Sequence, residues 1–183
     1  MILKVITSNP GKVREYREAL SRFSIGIEHA KISYDEIQTS DLKDVVRHGM
    51  DALRSKGLRD FIIDDSGMFV DALNGFPGVY SAYVQRTIGN AGILELTENA
   101  ENRKANFQCC IGCNVKGNDI IVSGRCDGVI LRKASGTDGF GYDPIFSHDG
   151  IRSFAELPLK EKNDISHRGN AVKLLMNEIG KII

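Results

Sequence analysis

Two long segments, residues 105–115 and 119–131, alternate large apolar side chains with small or polar ones, and the turn-forming run Lys116-Gly117-Asn118-Asp119 joins them. Period-two alternation marks a half-buried strand, and a short glycine-bearing link between two such runs marks a hairpin. A hairpin is marginal by itself in water, so this one has to belong to a wider sheet. Its first arm puts Phe107, Cys109, Ile111 and Cys113 on one face and turns Cys110 to the other. The spacing Cys110-x-x-Cys113 invites a zinc or redox reading, yet the alternation separates the two thiols. With Cys126 they are expected to be reduced core residues, because an unpaired cysteine packs as a small hydrophobe.

Upstream, residues 2–7 read as a short buried strand, Ser8-Asn9-Pro10-Gly11 interrupts it, and Val13, Tyr16 and Leu20 then recur at helical spacing. Residues 27–33 read as a second strand. Ser40 is placed to cap a helix whose Leu42, Val45, Val46, Met50 and Leu53 form an apolar stripe, and Phe61-Ile62-Ile63 reads as a core strand ending at Asp64-Asp65-Ser66-Gly67. A further helix is expected from Thr87 to about Glu98, and a last one carries Ala171, Leu174, Leu175, Ile179 and Ile182 on one face. A βαβαβ order followed by a hairpin implies an α/β fold with a mixed sheet flanked by helices. At 183 residues, 42% of them hydrophobic, the chain is expected to fold as one domain over residues 1–183.

Lys+Arg and Asp+Glu both number 24, which leaves no net positive field for a nucleic-acid backbone or an anionic membrane surface. No apolar run reaches the ~20 residues of a membrane span, and Met1 to Ile6 is too short for a secretion signal. The expectation is a cytoplasmic protein with neither nucleic acid nor membrane as partner, binding any anion locally.

Four places in the sequence carry candidate chemistry. Thr7-Ser8-Asn9-Pro10-Gly11-Lys12 leaves a strand and enters a helix, so unpaired N–H groups and the positive end of the helix dipole form an anion site. Lys12 is unfavourable there unless a negative group sits beside it. Taken alone, the segment reads equally well as an ordinary Asn-Pro-Gly turn. Asp64 and Asp65 follow an apolar strand, with Asp35 and Glu36 after another; crowded carboxylates persist best when a hard cation such as magnesium neutralises them. Their bland reading is again a turn. Ser166 is placed to cap a helix, which puts the cations His167 and Arg168 in its first turn, while Lys162 precedes it. Finally, Gly136 to Asp143 is rich in glycine, and its Phe140 and Tyr142 either offer flat faces for a base beside the acceptor Asp143 or are the core aromatics of a glycine-punctuated turn.

In order and spacing these segments, together with Pro77-Gly78-Val79-Tyr80-Ser81-Ala82 and Phe154-Ala155-Glu156-Leu157, resemble the inosine triphosphate pyrophosphatase family over nearly the whole chain, and Ser33-Tyr34-Asp35-Glu36-Ile37-Gln38 is most similar to its archaeal branch. The resemblance implies an elongated mixed sheet in two lobes with a nucleotide-binding cleft between them, and a homodimer. It implies hydrolysis of non-standard purine nucleoside triphosphates, those of inosine and xanthosine, to the monophosphate and pyrophosphate. Thr7, Ser8, Asn9, Pro10, Gly11 and Lys12 would hold the triphosphate, and Glu36 and Asp65 would bind Mg2+. Asp65 would also be the catalytic proton acceptor for the attacking water. Ser66, Phe140, Gly141, Tyr142, Asp143, Lys162, His167 and Arg168 would complete the substrate pocket, the last three near the base. Two positions depart from the family pattern: Tyr83 stands where many members have Arg, and Asp51 where many have Lys. Arg54, Lys56 and Arg86 are the cations available to replace them. The rival readings are a pyrophosphatase for another modified nucleotide and a nucleotide sensor without turnover.

Overall fold

The computed structural model describes residues 1–35 and 37–182 of the chain. Strand β1 (Ile2–Ile6) leads to Asn9, which caps helix α1 (Pro10–Ser21). The Asn9 side chain accepts from the Gly11 N–H at 2.8 Å, and Pro10 takes the first helical position, where its missing N–H leaves nothing unpaired. Strand β2 (Gly26–Ala30), helix α2 (Leu42–Ser55) and strand β3 (Phe61–Val70) follow, and β2 and β3 flank β1 in parallel. Next come the short β4 (Pro77–Gly78), helices α3 (Ser81–Thr87) and α4 (Gly89–Leu96), and the long hairpin of β5 (Lys104–Val115) and β6 (Asn118–Ile130). The chain ends with β7 (Phe146–Ser147), α5 (Leu159–Ile165) and α6 (His167–Ile179).

Among the described residues the sheet order is β2-β1-β3-β5-β6-β7, with β4 paired to β3 and antiparallel ladders from β3 outward through β5 and β6 to β7. The parallel strands β1 and β2 are five residues long, while β3, β5 and β6 run ten, twelve and thirteen. The long strands therefore overrun the short ones by roughly 17–26 Å at ~3.3 Å per residue. Where all strands are present, α1 and α6 cover one face over Leu3, Ile62, Ile111 and Leu175, and α2 covers the other over Val46, Leu53, Phe61 and Ile63. The overrun carries its own core of Met68, Val70, Phe107, Phe146 and Phe154. The result is the expected mixed sheet in two lobes.

Several local expectations are corrected. Strand β3 does not stop at Asp64; the ladder to β5 continues from Phe61 to Val70, so the turn-type residues Asp64 to Gly67 are held in a strand by their partner. The helix expected at 87–98 is two helices, broken at Gly89, whose φ is +60°. Asp41 rather than Ser40 caps α2, accepting from the Lys43 N–H at 2.8 Å. Strand β2 ends at Ala30 instead of continuing to Ser33. In α6 the buried stripe is Ala171, Val172, Leu175 and Ile179, and Leu174 is 45% exposed. The hairpin turn is Lys116-Gly117, both at positive φ, the geometry that matches the twist of the flanking strands. The cysteine reading holds: all four are buried thiols, with Cys109 and Cys113 on the α1/α6 face and Cys110 on the α2 face.

One glycine fixes where α6 begins. A Cβ added to Gly124 of β6 would lie 2.2 Å from the His167 carbonyl oxygen and 2.3 Å from the Ala171 backbone nitrogen, so helix and strand approach backbone to backbone. Gly124→Ala is expected to cost about 1–3 kcal/mol or more in urea unfolding, as overpacking against rigid backbone does. Gly26→Ala is the control: its added methyl would meet Ile2 at an ordinary 3.4 Å, and the change should stay within ~0.5 kcal/mol.

Candidate active site

Because side chains alternate along β3, Asp64 and Asp65 point to opposite faces of the sheet. Asp64 is 1% exposed and is met by the Lys12 ammonium at 3.1 Å and the Arg168 guanidinium at 2.9 Å. The Lys12 Nζ also donates to the Asp64 carbonyl at 3.0 Å, which ties the first turn of α1 to β3. Burial alone would raise the Asp64 carboxyl, but Lys12 and Arg168 outweigh it and hold the group well below the usual carboxylate range.

From Asp64 the ion pairs continue as a chain. Arg168, 1% exposed, bridges Asp64 to Glu15 and donates to the Ser66 hydroxyl at 2.9 Å. Glu15 then accepts from Lys162 at 2.6 Å, and Lys162 reaches Asp143 at 2.5 Å. Burial pushes Glu15 up, yet Arg168 and Lys162 bring it below its ordinary value. For Asp143 burial wins over the pull of Lys162, and its carboxyl is raised. The same carboxylate accepts from the Phe140 N–H at 2.7 Å and so closes the glycine-rich loop. Three cations, Lys12, Lys162 and Arg168, are thus balanced by Asp64, Glu15 and Asp143. His167 lies next to this chain with its ring stacked on Phe107, centroids 4.6 Å apart and planes within 11°.

Two cavities open on either side of the first turn of α1. The wider, about 930 Å³, is lined by Thr7, Ser8, Asn9, Lys12, Asp64 and Asp65 from the ends of β1 and the middle of β3, and by Tyr80, Tyr83 and Arg86 across from them. The smaller, about 390 Å³, is lined by Gly11, Glu15, Phe140, Phe154 and Lys162, with Arg14 and Asp138 at its rim. Gly11 and Lys12 are consecutive, so one residue of α1 serves each space. Gly11 is required there: a Cβ would sit 2.3 Å from the Phe140 ring.

The expected site residues fall into three groups. Thr7, Ser8, Asn9, Lys12 and Asp65 line the wide cleft, and Gly11, Phe140 and Lys162 line the small cavity. Ser66, Asp143, His167 and Arg168 form the wall behind, inside the ion chain or against it. Pro10, Gly141 and Tyr142 shape the backbone; Tyr142 is buried and its hydroxyl donates to the Ser81 carbonyl at 2.9 Å, so of the two aromatics expected in this loop Phe140 is the one that lines a cavity. Glu36 lies outside the described residues. Two arguments from the sequence are revised. Lys12 and Arg168 need no bound anion to justify their places at helix starts, since buried carboxylates of the chain face them. Nor do Asp64 and Asp65 crowd one another, so the case for a cation rests on Asp65.

Of the three replacement cations, Arg86 lines the cleft, whereas Arg54 is paired with Asp51 and Asp119 and Lys56 donates to the Ser33 carbonyl at 2.5 Å. Sequence reasoning missed Glu15 and Lys31. The signal for Glu15 was available: it stands beside Tyr16 and four residues before Ala19 on the buried side of α1. For Lys31, exposed after β2, no signal distinguished it from a solvated lysine. A divalent cation would be held by Asp65. Asp65 lines the wide cleft together with Thr7 and Ser8, residues with the hard oxygen donors that such a cation takes. No group of three potential ligands occurs among the described residues, and magnesium does not require one, since it is commonly held by one or two carboxylates together with substrate phosphates.

The chain has known relatives in sequence and in fold. A model described as the Ham1 family matches residues 3–178. The chain is 51% identical over 169 residues to a dITP/XTP pyrophosphatase of Pyrococcus horikoshii, covering 92% of this chain and 91% of that one. It is 47% identical over 178 residues to a protein of the same name from Thermococcus kodakarensis, covering 97% and 96%. Among solved structures, the Staphylococcus aureus Ham1 protein matches with a TM-score of 0.83 at 26% identity over the whole of both chains. A HAM1 protein from Coxiella burnetii matches at 0.80 and 30%, covering 98% of this chain and 99% of that one. The chain belongs to the Ham1 family.

Two expectations follow from the ion chain. Asp64→Asn strands Lys12 and Arg168 beside a neutral amide, and breaking a buried pair from one side should cost about 3–5 kcal/mol in denaturant unfolding; a loss below ~1 kcal/mol would show that the pairs are not coupled to the fold. The second concerns pH. Burial, reinforced by Arg168 and Lys162, holds the His167 ring well below its ordinary 6.5. As pH falls the unfolded chain therefore takes up this proton first, so the stability that the neutral ring contributes is complete above about pH 6.5 and declines below it. Asp64 and Glu15, both depressed, lose their contributions only as pH drops below their ordinary 3.8 and 4.5. The unfolding midpoint should thus fall between about pH 7 and 5, and His167→Gln should flatten that part of the curve.

Proposed function

We propose that this chain hydrolyses non-standard purine nucleoside triphosphates, those of inosine and xanthosine, to the nucleoside monophosphate and pyrophosphate. The observation that carries this reading is the pair of cavities divided by the first turn of α1, one lined by carboxylate and cation, the other by an aromatic ring and a buried lysine. The dITP/XTP pyrophosphatases of Pyrococcus and Thermococcus support it.

In this reading the triphosphate lies in the wide cleft, where the N-terminus of α1, the Lys12 ammonium and Arg86 balance its charge. Asp65, on the cleft wall, accepts a proton from the attacking water. The water oxygen forms the new P–O bond, the bond between the α and β phosphates breaks, and pyrophosphate leaves. Magnesium, held by Asp65 with Glu36 and the substrate's own oxygens, would polarise the phosphates and lower the pKa of a bound water. Asp64 stays outside the chemistry, because its charge is consumed by Lys12 and Arg168.

The base enters the small cavity against Phe140. Lys162 Nζ is a pure donor on that wall, suited to the 6-oxo group of hypoxanthine or xanthine. Adenine would present its 6-amino donor to the same group and leave both unpaired, a mismatch able to discriminate by ~10⁴. Arg168, behind Glu15, sets the charge of the wall. The family resemblance supports a homodimer, and the exposed Ile88 and Leu96 are apolar surface that an interface would cover.

A pyrophosphate-release assay with inosine, xanthosine, adenosine and guanosine triphosphates, with and without chelated magnesium, tests the reading. Inosine and xanthosine triphosphates should be turned over with kcat/KM at least ~10²-fold above adenosine triphosphate, and chelation should abolish release. Asp65→Asn should lower kcat by about 10²–10⁴ without shifting the unfolding midpoint. Equal use of the adenine and hypoxanthine nucleotides would refute the assignment of the small cavity, and normal turnover in Asp65→Asn would remove that residue from the reaction.

A further inference from the structure

The carbonyl of Gly141 is gripped twice. Gln85 at the end of α3 donates its amide Nε2 to it at 3.2 Å, and Asn90 at the start of α4 donates its Nδ2 at 3.1 Å. The orientation of both amides follows from chemistry, since a carbonyl only accepts. Their own oxygens, Gln85 Oε1 and Asn90 Oδ1, are buried with no hydrogen-bond partner among the described residues. Leaving two buried acceptors unpaired is unfavourable. What the two amides hold in common is one peptide of the glycine-rich loop.

That peptide sits between two residues with opposite tasks. Gly141 has a φ of +62°; the next residue, Tyr142, is anchored in the core with its hydroxyl on the Ser81 carbonyl at 2.9 Å. The preceding residue, Phe140, is half-buried and lays its ring on Gly11, with Lys162 Nζ 5.0 Å from the ring centroid. The other end of α3 is tied to the catalytic strand, because the Ser81 hydroxyl accepts from the Met68 N–H at 2.9 Å and donates to the Gly78 carbonyl at 2.7 Å. The cleft-facing residues Tyr83 and Arg86 belong to α3 as well. One seven-residue helix thus touches β3, the wide cleft and the loop that carries Phe140.

We propose that Gln85 and Asn90 are positioning residues for the base: by anchoring the Gly141 carbonyl they fix the Phe140 ring over the small cavity, and α3 makes that position depend on the element that lines the cleft. The inference rests on the reading that the base occupies the small cavity. Its signature is a selective one. Removing both donors should weaken recognition of the nucleoside and leave recognition of the triphosphate alone, whereas a general loss of packing would weaken both.

The test is the double variant Gln85→Met/Asn90→Leu, which removes the donors together with the two unpaired oxygens and so is expected to fold with little change in unfolding midpoint. The KM for inosine triphosphate should rise about tenfold, the loss of two neutral hydrogen bonds on one acceptor, with kcat and the Kd of inorganic tripolyphosphate each within about twofold of wild type. Each single variant keeps one donor on the carbonyl and should raise KM about two- to threefold, which carries the test if the double variant does not fold. Phe140→Ala is measured in parallel. If it raises the KM for inosine triphosphate and the double variant does not, the clamp is idle and the proposal fails while the base assignment stands. If the double variant raises KM and the tripolyphosphate Kd together, the amides are merely structural and the proposal is overturned. If neither Phe140→Ala nor the double variant moves KM, the base does not lie against Phe140, and the cavity reading falls together with this one.

Discussion

Six charges stand in a row beneath the cleft, five of them with buried side chains, running from the partly exposed Lys12 through Asp64, Arg168, Glu15 and Lys162 to Asp143. Each would be strongly unfavourable alone, because removing an ion from water costs several kcal/mol even after the protein relaxes. They persist because every member has a neighbour of opposite sign on at least one side. The row also crosses the architecture: Lys12 and Glu15 come from α1, Asp64 from β3, Asp143 from the glycine-rich loop, and Lys162 and Arg168 from α5 and α6. No element can shift without unpairing a charge held by another. The two cavities inherit their shape from that constraint, since Lys12 forms part of one wall and Lys162 part of the other.

This arrangement separates duties that the sequence writes side by side. Asp64 and Asp65 are consecutive and chemically alike, yet the pleat sends one into the ion row and the other into the cleft. Asp64 is kept ionised by two cations and spends its charge on structure. Asp65 lines the space where a phosphate chain fits, beside the N-terminus of α1. The small cavity shows the same economy: Phe140 supplies the face, Lys162 the donor, and Glu15 and Asp143 keep that lysine aimed.

What could be read from the sequence was what local chemistry decides. The Ser166 cap, the strand before α1 and the long hairpin are each written within a few neighbouring residues, and the structure has them in place. Their order and spacing were enough to reach the family. Features set by distant partners were not legible. Asp64 to Gly67 have the composition of a turn and form a strand because β5, over forty positions away, supplies the ladder. The helical spacing puts Glu15 on the buried side of α1, but nothing near it names its partner, Lys162, 147 positions along the chain. The break at Gly89 and the grip of Gln85 and Asn90 on Gly141 likewise depend on how α3 docks, which no periodicity in that stretch records.

The alternation at Asp64 and Asp65 has a further effect on how the sheet assembles. Strands β3 and β5 are buried on both faces, and a slip of one residue between them would send every side chain of one strand to the opposite face. Here a rotated β3 would carry Asp65 into the place facing Lys12 and Arg168 and push Asp64 to the cleft side, while moving Ile62 and Ile63 to each other's cores. The carboxylates could trade places almost isosterically; the serine that follows them could not, because Ser66 would leave Arg168 and Gly67 would lose its close approach to Gly78. The correct alignment is therefore marked by a short string of unlike neighbours, acid, acid, hydroxyl and bare backbone, that can be satisfied all at once in only one register.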